Sequence, residues 1–479
     1  MAITLLKGDL DMAMLAKQKA IRADLTEGPL LAKIWKFTLP LIATGLLQTL
    51  YNASDMIVVG RFAPNGAFAM GAVGACGSLI NLIVNLFMGL STGAGICVAR
   101  SVGAGRDKDV KDLVHTSAMA GVVCGIFVGM IGFLLAEPLL ILMGTPEDIL
   151  IEAVPYMRAY FVGIPAMMLY NFLAAALRAT GDTKRPLMFL AISGLINVGL
   201  NFVMVTAFAM GAVGVGIATT AAQYASAIMI VIYMRKSSGI CHLSLREIKI
   251  HKRCFIGIIE NGLPAGIQSL VFGISNVLIQ SSINAFGPET ISGSAAAANI
   301  ENFIYIAMNS FFQTAITFTG QHVGAGKIER IKKIAILTVA SVALTGIVIG
   351  SLCFVFREPL LSIYIDEADK AVETRIMEAG ALRMSIIGAL YFLCGIMETL
   401  GGMVRGMGRS ILPTVVAIFG MCLMRIAWIF IVCPFFPGRL DVLLMAYPIT
   451  WILTIAGHGS CAVWSYKQLK KQKREVLGA

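Results

Sequence analysis

Long apolar segments recur along this chain, with short polar interruptions between them. Each run reaches roughly 18 residues or more, enough for a helix to cross about 30 Å of hydrocarbon. The runs are continuous, whereas the strands of a membrane barrel would alternate in polarity. The pattern predicts an all-α polytopic membrane protein. The about twelve predicted helices are 35–60, 69–99, 114–136, 157–178, 187–208, 213–234, 256–285, 294–321, 334–356, 379–404, 411–434 and 442–465.

The composition of the 479 residues agrees with a membrane setting. The chain is 57% hydrophobic and 14% charged, against roughly 25% charged residues in soluble domains. Its ten cysteines are scattered without a CxxC pair, and its five histidines lack ligand spacing. A disulfide framework or a structural metal site is therefore not expected. We expect no cofactor.

The net charge of +11 could suggest nucleic-acid binding, but its distribution indicates topology. With the amino terminus placed inside, the inner segments carry 30 Lys and Arg and the outer segments 7, a set that includes Arg383. Arg425 lies within a span and completes the total of 38. This asymmetry predicts that both termini are cytoplasmic. The basic tail "KQLKKQKR" is then a membrane-surface anchor, and no nucleic-acid partner is expected.

The two halves of the chain repeat each other. "VGAGRDKDVKDL" matches "VGAGKIERIKKI" at an offset of 221 residues, and an "LP" pair recurs at an offset of 224. Six predicted spans separate equivalent points, so both halves share one orientation, as in transporters built from parallel repeats. The predicted organisation is a cytoplasmic lead-in (1–34), an N-terminal six-helix bundle (35–234), a cytoplasmic linker (235–255), a C-terminal six-helix bundle (256–465) and a basic cytoplasmic tail (466–479).

One carboxylate, Asp55 in "NASDMIVVGRF", stands inside an apolar run. Burying it in hydrocarbon costs at least ~3 kcal/mol, so intramembrane acids are usually functional. Asn197 and Asn201 share one face of the fifth helix, and Thr219 and Thr220 lie in the sixth. If the three helices meet, this oxygen-rich cluster could bind Na⁺ or hold a proton on the acid. Alternatively, the amides and hydroxyls only bond neighbouring helices together.

Further polar residues in apolar spans are candidates for function. Pro40 removes a backbone hydrogen bond and can bend the first helix. Glu398 and Arg425 lie in the tenth and eleventh helices and predict either a buried salt bridge or a second titrating or substrate-contacting site. Glu301, at the start of the eighth helix, faces either the cavity or the outer interface.

Motifs for catalysis are absent from the sequence. It contains no HExxH helix, no GxSxG elbow and no Walker A run. The chain is therefore not expected to be an enzyme. Without a nucleotide-binding domain, transport has to be driven by an ion gradient or by a partner.

The stretches "LPLIATGLLQTLYNASDMIVVGRF", "LRATGDTKRPL" and "VRGMGRSILP" resemble the MATE (multidrug and toxic compound extrusion) transporters, over about residues 30–465. This resemblance implies two six-helix bundles that form a V-shaped cavity. It also implies export of cationic or amphipathic drugs in exchange for H⁺ or Na⁺ by alternating access. A monomer in a bacterial inner membrane is expected.

The resemblance also implies roles for single residues. The family's first-helix acid falls on Asp55 and its bending proline on Pro40. The fifth-helix Asn and Asp fall on Asn197 and Asn201, so the second acid is an amide here. The sixth-helix threonine falls on Thr219.

A seventh-helix Glu that some members use falls near Phe272 and is missing, and Glu398 is a candidate to replace it.

Other functions remain as alternatives. A lipid-linked oligosaccharide flippase of the same superfamily would line its cavity with several cations, and only Arg425 is predicted inside a span. An intramembrane enzyme would need paired catalytic groups at one depth. A receptor or scaffold would not need the Asp55 cluster. Dye efflux under an imposed ion gradient would separate these functions.

Overall fold

The computed structural model describes residues 25–63, 66–365 and 369–477, and within them it is built from helices and loops without strands. The predicted all-α fold is confirmed. The first 24 residues of the predicted cytoplasmic lead-in (1–34) lie outside the described residues, and the first helix begins within it at Leu30. Twelve long helices follow one another: α1 Leu30–Phe62, α2 Gly66–Gly103, α3 Asp107–Leu142, α4 Glu147–Ala179, α5 Lys184–Phe202, α6 Gly211–Lys236, α7 Lys252–Asn284, α8 Pro288–Gly324, α9 Glu329–Val355, α10 Lys370–Gly406, α11 Ile411–Phe435 and α12 Leu440–Glu475.

Most helices extend beyond the apolar runs that predicted them. For example, α3 begins at Asp107, seven residues before the predicted start. Polar residues continue a helix readily once it leaves the hydrocarbon region, and hydropathy does not register them. Eleven of the described helices are long and apolar enough to span a membrane. The helix below that threshold is α8, which carries Glu301, Asn302 and Asn309 among its apolar residues.

The helices group into two compact units. Unit 1 contains residues up to Pro29 and Leu47–Leu263, and unit 2 contains Leu30–Leu46 and everything from Pro264 onward. The boundary therefore falls inside α1 and inside α7, so each of these helices contributes one part to each unit. Pro40 and Pro264 lie inside α1 and α7 respectively.

The core of unit 1 is organised around α4, which packs against α2, α3 and α6. Its side chains Met157, Phe161, Met168 and Phe172 are fully buried. Close packing depends on small residues, because a Cβ at Gly125 would meet the backbone of Pro165 on α4. In a membrane the hydrophobic effect does not drive helices together, so their association depends on close van der Waals packing of this kind.

The segment between α6 and α7 folds back onto unit 1. The backbone N–H of Ser244 donates to His115 Nε2 at 3.0 Å, and Lys111 Nζ pairs with Glu247 at 2.7 Å. Cys241 in the same segment is buried. These contacts tie the segment to α3.

Unit 2 has a core around α8 and α10, which pack against each other and against α9. Two helices here contain π-helical turns, at Met384–Gly388 in α10 and at Ile418–Leu423 and Trp428–Val432 in α11. A further π-helical turn, Val203–Ala207, follows α5 in unit 1. Such turns shift the register of side chains along a helix and often occur at functional sites.

Candidate functional site

Unit 1 encloses a cavity of about 560 Å³, called here the first cavity, lined by α1, α2, α4, α5 and α6. Among its described lining residues, Asp55 is the only one that carries a formal charge. The carboxylate is 8% exposed. The first cavity is therefore suited to a positively charged or neutral occupant.

Polar side chains from α5 and α6 bind the Asp55 carboxylate. Asn201 donates its amide N–H to Oδ1, and the Thr219 hydroxyl donates to Oδ2 at 3.4 Å. Asn197 joins the network, since its amide donates to Thr219 at 3.2 Å and its Oδ1 accepts from Asn201 at 3.3 Å. The structure thus brings together all four residues of the predicted cation site.

A close approach of α5 to α1 makes this network possible. An added Cβ at Gly194 would collide with the ring of Tyr51, so any larger residue would displace that ring. The Tyr51 hydroxyl donates to the Leu190 carbonyl at 2.9 Å and fixes the two helices together. Asn197 lies about one turn and Asn201 about two turns after Gly194 on α5, so both side chains face the Asp55 carboxylate.

The chemistry of the network fits a monovalent cation as cargo. A carboxylate, amide oxygens and a hydroxyl are hard oxygen donors. In the present arrangement Asn201 turns its N–H toward Asp55, while its Oδ1 has no hydrogen-bond partner among the described residues. Rotation of this amide by 180° would present an oxygen to a bound cation instead. A proton on the carboxylate would need a similar change of partner.

Other residues predicted from the sequence lie apart from this network. Thr220 donates to the Ala159 carbonyl at 2.7 Å, which is a helix–helix bond. Pro40 lies fifteen residues before Asp55, about 22 Å along the axis of α1 at 1.5 Å per residue. The bending role of Pro40 stays a prediction.

Sequence reasoning missed two tyrosines of the first cavity. Tyr156 and Tyr160 line it from α4, with ring centroids 6.3 Å apart. Aromatic faces attract organic cations. Their i, i+4 spacing in "PYMRAYF" places both on one helix face, and this was the signal available in the sequence.

Unit 2 contains its own cavity of about 280 Å³, called here the second cavity. The predicted polar residues Glu301, Glu398 and Arg425 all line it. A salt bridge between Glu398 and Arg425 is not formed, so that interpretation is wrong for the described structure. The buried pair is instead Glu301 with Arg383, joined by two hydrogen bonds of 2.9 Å.

Two arginines that were counted with the segments flanking the tenth helix are buried in α10. Arg383, counted on the outer side, is 6% exposed, and Arg405, counted on the inner side, is 2% exposed. Arg405 donates to Gln268 and to Thr414. The expectation that Arg425 is the only cation within a span is therefore wrong. The tenth helix begins at Lys370, nine residues before the predicted start, which places Arg383 well inside it.

Comparison with known proteins identifies the family. The MatE family profile matches residues 40–203 and 264–431, which together exceed half of the chain. The chain belongs to the MatE family. Its two matches begin 224 residues apart, the same offset as the recurring "LP" pair, so the internal repeat is a property of this MatE protein. MATE proteins are membrane transporters, and this chain is accordingly a multi-pass membrane transporter.

Individual relatives extend the likeness over nearly the whole chain. The "Probable multidrug resistance protein YoeA" of Bacillus subtilis (strain 168) is 25% identical over 452 residues, 91% of this chain and 96% of that protein. A multidrug resistance MATE family transporter of the MOP superfamily in an outward-facing conformation has a TM-score of 0.80 at 17% identity, over 96% of this chain and 99% of that one.

A MOP superfamily transporter from Pyrococcus furiosus also has a TM-score of 0.80, at 18% identity, over 95% of this chain and 97% of that one. It is described as having a binding pocket of reverse polarity that suggests a different function.

Proposed function

We propose that this transporter exports amphipathic or cationic small molecules by alternating access, in exchange for H⁺ or Na⁺. The observation that carries the proposal is the Asp55 carboxylate. It is the sole charged group among the described lining of the first cavity, and neutral donors from two other helices hold it. Multidrug resistance proteins among the relatives, such as YoeA, support an organic substrate.

In the proposed cycle, Asp55 binds either the coupling ion or the organic cation. Asn201 and Thr219 hold the ionised carboxylate in the absence of both. When the coupling ion occupies the acid, the organic cation loses its counter-charge and leaves the first cavity. Tyr156 and Tyr160 supply apolar and cation–π contact to the substrate. Coupling requires that the ion and the organic cation each bind one conformational state of the transporter more tightly than the other.

The cellular setting belongs to the same proposal. The bacterial relatives favour the inner membrane, and the Lys and Arg distribution favours cytoplasmic termini. The two-bundle organisation, with linker and tail on the cytoplasmic side, is part of this proposal. A monomer is sufficient, because each described cavity is lined within one unit of a single chain.

The flippase alternative is not favoured. Such a protein would need several uncompensated cations to meet a pyrophosphate. The described charged residues lining the second cavity are two acids and two arginines, and Glu301 neutralises Arg383 directly. The first cavity presents a negative charge and no positive one among its described lining.

Gradient-driven efflux tests the proposal. Purified protein in proteoliposomes is given a fluorescent organic cation, with an imposed H⁺ or Na⁺ gradient in separate experiments. We expect Asp55→Asn to reduce efflux to the level of protein-free vesicles. The matched control Glu137→Gln, which changes an exposed acid paired with Arg158, should pump normally. Normal pumping by Asp55→Asn under both gradients would refute the role of Asp55.

A further inference from the structure

The second cavity holds two opposite charges that do not neutralise each other. Its charged lining residues are Glu301, Arg383, Glu398 and Arg425. Glu301 and Arg383 form a closed pair, and the third guanidinium nitrogen donates to Ser294 at 2.8 Å. Within the described residues, Glu398 and Arg425 are not within ion-pair distance of each other or of another charged side chain. Arg405, further along α10, interacts electrostatically with Glu398 but forms no ion pair with it, and no described carboxylate is among the groups that interact with Arg425.

The guanidinium of Arg425 is fully buried with neutral neighbours only. Its Nε donates to the Thr450 hydroxyl at 3.2 Å and its Nη1 to the side-chain oxygen Oδ1 of Asn276 at 3.3 Å, both long bonds. Nη2 has no acceptor among the described residues. The ring of Tyr447 lies 4.3 Å from the guanidinium carbon and that of Phe272 lies 5.6 Å away. The aromatic rings orient the planar group without supplying a negative charge.

A buried guanidinium without a counter-ion is costly, because the charge has lost its hydration without gaining a partner. Such a group is retained where a ligand completes it. The preferred partner of a planar, partly satisfied guanidinium is a carboxylate, which it can meet with two parallel hydrogen bonds. The free donor of Arg425 and its place in the cavity wall therefore indicate an acidic group on the occupant.

Glu398 adds the complementary requirement. Its carboxylate lines the same cavity, is half-buried, and lies on α10. It would repel a purely anionic occupant, while an amine on the occupant would compensate it. A cavity of this size is at the lower end of the range for small-molecule sites.

We propose that the second cavity binds small zwitterionic compounds, with Arg425 receiving the carboxylate and Glu398 the amine. The meaning of this site for transport rests on the proposed export function. The first cavity, with Asp55 as its only described charge, then selects cations, and the second admits compounds that also carry an acid. The two units would thereby accept different classes of substrate.

Equilibrium binding to the purified full-length protein tests this proposal without any gradient. The probes are a fluorescent amino acid with a coumarin side chain, its primary amide and its N-acetyl derivative. The amino acid carries both charges, the primary amide only the charged amine, and the N-acetyl derivative only the carboxylate. We expect the zwitterion to bind at least tenfold more tightly than either derivative. Equal affinity of all three probes for the wild-type protein would overturn the proposal.

Variants assign the two charges. Arg425→Gln should lower zwitterion affinity to that of the amide and leave amide binding unchanged. Glu398→Gln should lower zwitterion affinity to that of the N-acetyl derivative. The control Arg375→Gln, at an arginine that is 58% exposed and pairs with Glu289, should change none of these affinities. A loss of all three probes in equal proportion in Arg425→Gln would show a structural role and contradict the site.

If Arg425→Gln is not monodisperse, Arg425→Lys is measured instead, because lysine keeps the positive charge but cannot donate two parallel hydrogen bonds to a carboxylate. It should weaken zwitterion binding and preserve the preference over the amide, and loss of that preference would contradict the site. Gradient-driven efflux of a simple organic cation is measured on the same wild-type preparation. Failure there with intact zwitterion binding overturns the export function alone, and the reverse result overturns only the zwitterion site.

Discussion

The buried pair of Glu301 and Arg383 allows a sharp test of what stabilises unit 2. Both side chains are buried, and two hydrogen bonds of 2.9 Å join them. The change Glu301→Gln keeps the shape of the side chain and removes its charge. The arginine would then be buried with only Ser294 and a neutral amide as acceptors.

The expected cost follows from this geometry. Removing one partner of a buried, hydrogen-bonded ion pair typically costs ~3–5 kcal/mol, because the remaining charge is uncompensated. Arg383→Met should cost a similar amount, since it leaves a buried carboxylate. The double variant has no stranded charge, and we expect it to be more stable than either single variant. The coupling free energy between the two sites should be at least ~2 kcal/mol.

The measurement is unfolding of purified protein by titration with a denaturing detergent, followed by tryptophan fluorescence. The exposed pair of Glu137 and Arg158 serves as control, and Glu137→Gln should change the free energy of unfolding by at most ~1 kcal/mol. If Glu301→Gln unfolds at the same detergent concentration as wild type, the pair does not stabilise unit 2 and our reasoning is refuted. Equal losses that simply add in the double variant would have the same meaning.

Two further predictions concern unit 1. Asn201→Ala removes a donor to the Asp55 carboxylate, a bond worth ~1.5–3 kcal/mol to a charged acceptor, so a coupling proton should bind at least about tenfold more tightly, whereas Na⁺ would lose an amide oxygen ligand and bind more weakly, as measured from the pH and Na⁺ dependence of efflux. Thr219→Val should act in the same direction and Thr220→Val should not. Burial raises the pKa of Cys241 to about 12, so its thiol stays protonated and should resist maleimide at pH 7.5, as read by peptide mass spectrometry.

The prediction on the Asp55 donors and the prediction on Cys241 each have a control. If Thr220→Val shifts the ion dependence as much as Thr219→Val, the effect is general loosening of α6 rather than loss of an Asp55 donor. Cys241 should react fully once the protein is unfolded in sodium dodecyl sulfate. Rapid labelling of the native protein would show that the linker segment does not pack against unit 1 as described.

Local patterns in the sequence predicted much of the fold and of the network around Asp55. The helices follow from apolar runs whose length matches a bilayer. The Asp55 network could be anticipated because a carboxylate in an apolar run is costly, and because the i, i+4 spacing of Asn197 and Asn201 fixes a shared helix face. These are properties of single helices, which a sequence specifies without knowledge of its neighbours.

Tertiary structure alone decided the partners in unit 2. Glu301 and Arg383 are 82 residues apart, and Arg383, four residues past the predicted start of the tenth helix, was counted with the outer segments. The helix begins nine residues earlier, at Lys370, because its first residues are too polar for hydropathy to register. The positions of Glu398 and Arg425 within their predicted spans were compatible with an ion pair between them. In the folded structure both side chains line the same cavity without forming an ion pair, and π-helical turns lie on both sides of Arg425 in α11. A sequence lists the charges in a membrane span, but packing between helices decides which of them meet.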